Sequence, residues 1–292
     1  MIKVFMKNVK AQGLTATLKK TAAFVLKKMK MNARKFPVLY YYWKIKILMV
    51  FLPRSKNRTM RVLKFTVHYN DLRSLFMEFK DIFKNQIYYF HCENDSPVII
   101  DGGGFIGISV LYFKWLYPNA KILVYEPNTR ALEFLEKNIS ENKLDRIEIH
   151  KAGLSSNSGT VAFSDDGTDG GKISERGSTS IRIEKLSGTI KGPVDYVKLN
   201  IEGSELDVLK DLDAEQKFSY IRELCFEWHS FSQSAQNLDE CLRILKKNGY
   251  KYLINHFDYV TNRAVRPPFH LEDATQYYLI IYAKKTDTMA QK

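Results

Sequence analysis

The chain has 292 residues, 45% hydrophobic and 13% aromatic, which suffices for one large α/β domain plus an extension and excludes a disordered polypeptide. Its net charge of +13 is concentrated at one end: residues 1–70 carry 17 Lys and Arg and no Asp or Glu, leaving 28 basic against 32 acidic residues, a net of −4, in the rest. The body is therefore mildly acidic, and the basic terminal segment has the character of one that faces a polyanion or a membrane.

Taken in order, residues 1–30 place apolar side chains at roughly helical spacing among lysines, interrupted by Gly13. Residues 36–53 are the most apolar stretch, but Lys44 and Lys46 sit at its centre, and Tyr40, Tyr41, Tyr42 and Trp43 suit a lipid headgroup boundary. This segment is expected to lie on a membrane or to cap the domain rather than to cross a bilayer. Residues 54–64 read as a basic linker, so residues 1–70 are taken as an extension and 71–292 as the main domain. From Asp71 the pattern becomes regular: a helix over 71–84, a strand at 97–101, and a helix from about 105 to 117, stopped by Pro118. A strand at 121–126, a helix to about 140 and a strand at 146–152 come next. Segment 159–163 reads as an edge strand, and 164–179 has the Gly, Ser and Asp content of a long binding loop. A strand at 194–201, a helix from Ser204, a strand at 219–228, a helix at 235–248 and strands at 250–256 and 276–283 complete the chain. This alternation predicts an α/β fold with a seven-stranded, mostly parallel sheet and an antiparallel edge strand.

Three cysteines, Cys92, Cys225 and Cys241, lack paired spacing, which excludes a zinc cluster and points to a reducing compartment. The N-terminus has no apolar run leading to a small-residue cleavage site, so a cytoplasmic protein is expected, with the basic segment reaching the inner face of a membrane.

The chemistry begins at Asp101-Gly-Gly-Gly-Phe-Ile-Gly107, between one buried strand and a helix, followed by a second buried strand ending at Glu126. This is the first βαβ unit of a nucleotide-binding sheet. Gly102, Gly104 and Gly107 fit the G-x-G-x-x-G dinucleotide pattern; Asp101, Gly103 and Gly107 fit D-x-G-x-x-x-G. Glu126 lies nineteen residues past Gly107, where a carboxylate binds ribose hydroxyls. A carboxylate at Asp101 would repel a pyrophosphate and suits a sulfonium donor with no phosphate, S-adenosylmethionine. The second block, Lys198-Leu-Asn-Ile-Glu-Gly-Ser-Glu205, ends a strand in polar residues before a helix, where open α/β sheets bind ligands. By themselves, Lys198 and Glu202 would also serve as a structural ion pair and Glu205 as a helix-start carboxylate. In the third, Cys225-Phe-Glu-Trp-His229, the two-residue spacing puts Glu227 and His229 on one face of a strand. Beside Glu202 they could hold a substrate hydroxyl, act as base or share a metal.

These blocks, with Glu126-Pro127 and Ala152-Gly-Leu-Ser155, resemble the FkbM-type methyltransferases in order and spacing over roughly residues 75–285. The resemblance implies a Rossmann-like class I fold and an S-adenosylmethionine-dependent O-methyltransferase acting on a sugar or another small-molecule hydroxyl. One departure is Asn200, where the family usually has Asp, which shifts the proton-accepting role toward Glu202, Glu227 or His229 and raises the alternative of a non-catalytic member. The expected roles are cofactor binding by Asp101, Gly103, Gly107, Glu126, Gly153 and Leu154, and acceptor handling by Asn200, Glu202, Glu227 and His229, without a resident metal. The rival readings are an RNA methyltransferase with a basic arm and an NAD-linked oxidoreductase; the acidic body argues against the first.

Overall fold

In this computed structural model the described residues are 35–52, 55–164, 172–173, 177, 179–230, 237–255 and 277–285. The helical spacing read over residues 1–30 and most of the 164–179 loop lie outside them. The first described element is helix α1, over 35–51, followed by a hairpin of β1 (Ser55–Val62) and β2 (Phe65–Asp71). The expected linker at 54–64 is thus a strand, with Met60 opposite Val67 and Val62 opposite Phe65. Alternating burial along β2 puts Phe65, Val67 and Tyr69 into the core, and that period-two pattern overrides the basic composition of β1.

Asp71 ends β2 and caps α2 (Leu72–Glu78), its carboxylate accepting the Ser74 N–H at 2.8 Å. The helix continues as a π-helical turn, Phe79–Lys84. The βαβ core follows: β3 (Val98–Gly102), α3 (Ile108–Leu116), β4 (Lys121–Tyr125), α4 (Thr129–Glu141) and β5 (Ile147–His150). Next comes a small second sheet made from β6 (Gly153–Ser155), β7 (Gly159–Ser164), β8 (Lys172–Ile173) and β9 (Thr179–Lys185). The main fold resumes with β10 (Val194–Leu199), α5 (Glu205–Ala214), β11 (Ile221–Ser230), α6 (Leu238–Lys247), β12 (Tyr250–Asn255) and β13 (Tyr277–Lys285).

The main sheet has the order β12-β13-β11-β10-β3-β4-β5. The antiparallel strand is not at the edge as expected: β13 lies between β11 and β12, antiparallel to both. Its centre explains the place, because Ile280 and Ile281 are both fully buried on opposite faces, while β12 exposes Tyr252, Leu253 and Ile254. The continuous apolar runs of β3, β4 and β10 are the signature of parallel strands covered on both sides. One face (Ile99, Val124, Tyr196, Cys225) packs on α3, α4, α1 and the hairpin. The other (Ile100, Tyr125, Val197, Phe226) packs on α5 and α6.

The hairpin is tied to the sheet domain by two asparagines of α4. Asn138 accepts the His68 N–H at 2.7 Å and donates to the carbonyls of His68 and Ile106 at 3.0 and 2.7 Å. Asn142 accepts the Thr66 N–H at 2.8 Å and donates to its carbonyl at 2.7 Å. Two side-chain amides thus replace a neighbouring strand along β2, and Asn138 also holds the glycine turn through Ile106.

Candidate active site

The carboxyl ends of β3, β4, β10 and β11 are brought level by their registers: Gly102 pairs with Tyr125 and Leu199, and Leu199 with Phe226. The glycine turn, Glu126, Asn200 and Glu227 therefore follow one another at the same edge of the sheet, the usual ligand edge of an open parallel sheet.

Two glycines of the turn are required by the protein itself. Gly103 has φ +80°, and a Cβ there would lie 1.9 Å from the carbonyl oxygen of Asn200. Gly107 has φ +90° at the start of α3, with Leu135 of α4 at 2.8 Å from where a Cβ would be. The turn hangs on the Tyr125 carbonyl, which accepts the N–H groups of Gly103 and Gly104 at 2.9 and 3.0 Å.

Asp101 does not stand at the mouth of the turn as expected; it lies beneath it, fully buried. Ser109 donates to its Oδ2 at 2.5 Å, and the Lys198 ammonium sits 3.0 Å from Oδ1. Lys198, also buried, directs its hydrogens to the carbonyls of Gly102 and Gly103 at 3.0 and 2.6 Å. Register causes this, since Asp101 and Lys198 are direct partners on neighbouring parallel strands and share a face. The pair neutralises itself and fixes the backbone of the turn, so repulsion of phosphate by Asp101 has no structural basis. The alternative ion pair of Lys198 with Glu202 is likewise replaced by the pair with Asp101.

Glu126 is where the spacing places it, at the tip of β4 beside the turn. Its Oε2 accepts the Phe105 N–H at 2.7 Å and its Oε1 the Asn128 N–H at 2.8 Å. Burial raises its carboxyl to about pH 7 against these two bonds and the nearby Lys198. Leu154 is also displaced from its expected role: its side chain is 1% exposed and packs against Gly102, while Gly153 sits against Ile181, Ile183 and Pro127. Both belong to the core under the turn.

Beside the turn, the β10–α5 connection is held in an unusual conformation. Glu202 adopts φ +53° and Gly203 φ +104°. The buried Glu205 clamps this bend, accepting the N–H groups of Ile201 and Gly203 at 3.1 and 3.0 Å. His229 lies between two carboxylates, with Nε2 3.5 Å from Glu202 and Nδ1 3.4 Å from Glu205. Burial pushes its pKa down, but Glu205, Glu202 and Glu227 outweigh burial and hold the imidazolium up to about pH 10. Glu227, whose carboxyl is raised by burial, accepts a hydrogen bond from Tyr88. Tyr88 is buried and lies under the Lys198 ammonium, 5.4 Å from its ring centroid. It joins the turn to the Glu227 cluster, yet no sequence motif pointed to it; only the folding of segment 79–90 against β11 brings it there. Asn200, at the tip of β10, presents a buried Oδ1 that has no hydrogen-bond partner among the described residues. Among the described residues no three His, Cys, Asp or Glu side chains form a metal-holding group.

Residues 109–252 match the family model of the methyltransferase FkbM domain; the match runs from within α3 to within β12 and includes the Lys198–Glu205 block and His229. This stretch of the chain is similar to the FkbM methyltransferase domain. Two curated relatives are similar over about half of it. Methyltransferase 1 of Beauveria bassiana is 27% identical over 182 residues, 52% of this chain and 73% of the relative. Methyltransferase sdnD of Sordaria araneosa is 26% identical over 189 residues, 51% of this chain and 73% of the relative. Among solved structures, the methyltransferase FkbM from Methylobacillus flagellatus is 17% identical with a TM-score of 0.46, over 72% of this chain; the chain spans about half of that structure, 54% of its length. The mostly parallel seven-stranded sheet with helices on both faces is a Rossmann-like arrangement.

Proposed function

We propose that this FkbM-type domain is an S-adenosylmethionine-dependent O-methyltransferase that modifies a hydroxyl of a small molecule, a sugar or glycolipid. The observation that carries the reading is the cluster of Glu202, His229 and Glu227 at the carboxyl ends of β10 and β11, next to the glycine turn. An alcohol must lose its proton as it attacks an electrophilic carbon, so a hydroxyl acceptor needs a proton-accepting group beside the donor site. The sugar or glycolipid class rests on the family resemblance.

The residues at the sheet edge fit the cofactor. The orphan Oδ1 of Asn200 suits a cationic donor-rich group, and each Glu126 oxygen has a second lone pair for ribose hydroxyls. When bound, S-adenosylmethionine supplies a methyl group made electrophilic by the sulfonium. Gly103 and Gly107 would keep the turn close to it, and Lys198 holds that turn from below.

His229 is a poor base in this setting, because it already carries its proton at neutral pH. It would instead orient the acceptor by donating a hydrogen bond, while Glu202, the most exposed carboxylate of the cluster at 20%, takes the hydroxyl proton. Most of the acceleration would come from alignment of the acceptor oxygen with the methyl group. On this reading His229→Gln lowers turnover by about tenfold or more and leaves S-adenosylmethionine affinity within about twofold, as read by kinetics and calorimetry. Unchanged turnover removes His229 from the mechanism. Labelled cofactor incubated with a host extract should mark the glycan or lipid fraction; label confined to RNA would overturn the small-molecule reading.

A further inference from the structure

Helix α1 has two apolar faces, and among the described residues only one of them packs against the fold. Val38 and Ile45 are buried in the core, and Tyr42 packs on Phe76 with ring centroids 5.3 Å apart. On the other side Phe36, Tyr40, Trp43, Ile47, Val50 and Phe51 are 55–78% exposed. At about 100° per residue these six fall within an arc of about 100°, a continuous stripe along a helix about 25 Å long. Soluble monomers rarely leave such a stripe open to water.

We propose that this stripe docks on an anionic lipid surface, with α1 lying in the headgroup plane. Charge supports the choice of occupant, since residues 1–70 hold 17 basic side chains and no carboxylate. The lysines are also placed for it: on the same helical projection Lys44 borders the stripe on one side and Lys35 and Lys46 on the other. Their ammonium groups can reach lipid phosphates while the apolar side chains enter the acyl boundary. Lys46 lies 4.9 Å over the Trp43 ring, which puts cation and amphipathic aromatic together at that border. A second copy of the chain is a poorer occupant, because two such faces would bring lysine against lysine with no acidic partner. Among the described residues no helix is long and apolar enough to cross a membrane, so the contact is with one leaflet.

The test uses the full chain and vesicles of phosphatidylcholine with or without phosphatidylglycerol. Sedimentation should show binding to the anionic vesicles, weakened by added salt and reduced about tenfold or more in the double variant W43E/I47E. Both positions are exposed, so the variant should keep its thermal midpoint and its cofactor affinity. Trp43 is the exposed tryptophan, Trp115 and Trp228 being partly or wholly buried, so wild-type emission should shift to the blue on binding. Equal binding to neutral and anionic vesicles, or none to either, overturns the proposal. So does undiminished binding of the double variant, which would put the contact in residues 1–34. A wild-type dimer that the double variant converts to monomer assigns the stripe to a second copy instead. Methyl transfer enters none of these readouts.

Discussion

At the scale of single residues, the site is governed by two buried charges and the groups that answer them. Lys198 joins the Asp101 carboxylate to the carbonyls of Gly102 and Gly103, so its removal strands a carboxylate with no exposure to water. Lys198→Met is expected to cost about 3–5 kcal/mol in a urea titration, and D101N/K198M should cost less than K198M alone because no buried charge is left unpaired. A double variant no more stable than K198M would mean that the ammonium acts on the carbonyls and not on Asp101. His229 makes a pH prediction. Its folded pKa, about 10, is raised above the ordinary 6.5, so the native state binds the extra proton. The stability this contributes is complete below about pH 6.5 and is lost as pH rises through about 10. The wild-type urea midpoint should fall over that window, and His229→Gln should flatten the fall; parallel curves for the two proteins would reject the imidazolium.

At the scale of elements, chain crossings explain the glycines better than the ligand does. Gly103 passes 1.9 Å, measured from a would-be Cβ, from the Asn200 carbonyl, and its φ is in the left-handed region, so neither backbone can yield. Gly103→Ala should destabilise by several kcal/mol, at or above the upper end of ordinary single substitutions, whereas Gly188→Ala, which meets nothing within 4 Å, should change little. Thermal unfolding of the two variants decides it, and equal midpoints would contradict the crossing. The asparagine ladder of α4 on β2 works at the same scale, for it couples the N-terminal hairpin to the turn through the Ile106 carbonyl.

At the scale of the whole molecule, the N-terminal segment from residue 35 is continuous with the core of the sheet domain. Val38, Ile45, Phe65, Val67 and Tyr69 share a cluster with Ile99 and Tyr196 of the central strands. A chain beginning at Asp71 would uncover that side of α3 and α4 and remove the β2 partners of Asn138 and Asn142. It is expected to lose cooperative unfolding or to aggregate, as judged by circular dichroism during heating. A sharp transition at the full chain's midpoint would show instead that the hairpin is dispensable.

Local pattern determined the order of elements in the main sheet, the glycine turn, the place of Glu126 and the shared face of Glu227 and His229, because strand alternation and turn chemistry act between near neighbours; it missed the β1–β2 hairpin and most of the small second sheet. Register and packing between distant segments decided the rest. Register turned Asp101 inward onto Lys198 and set β13 inside β12, while packing of segment 79–90 and of the β10–α5 bend against β11 drew Tyr88 to Glu227 and gave His229 two carboxylate neighbours that hold its proton. Such pairings depend on which strands lie side by side, and spacing along one chain carries no term for contacts a hundred residues apart.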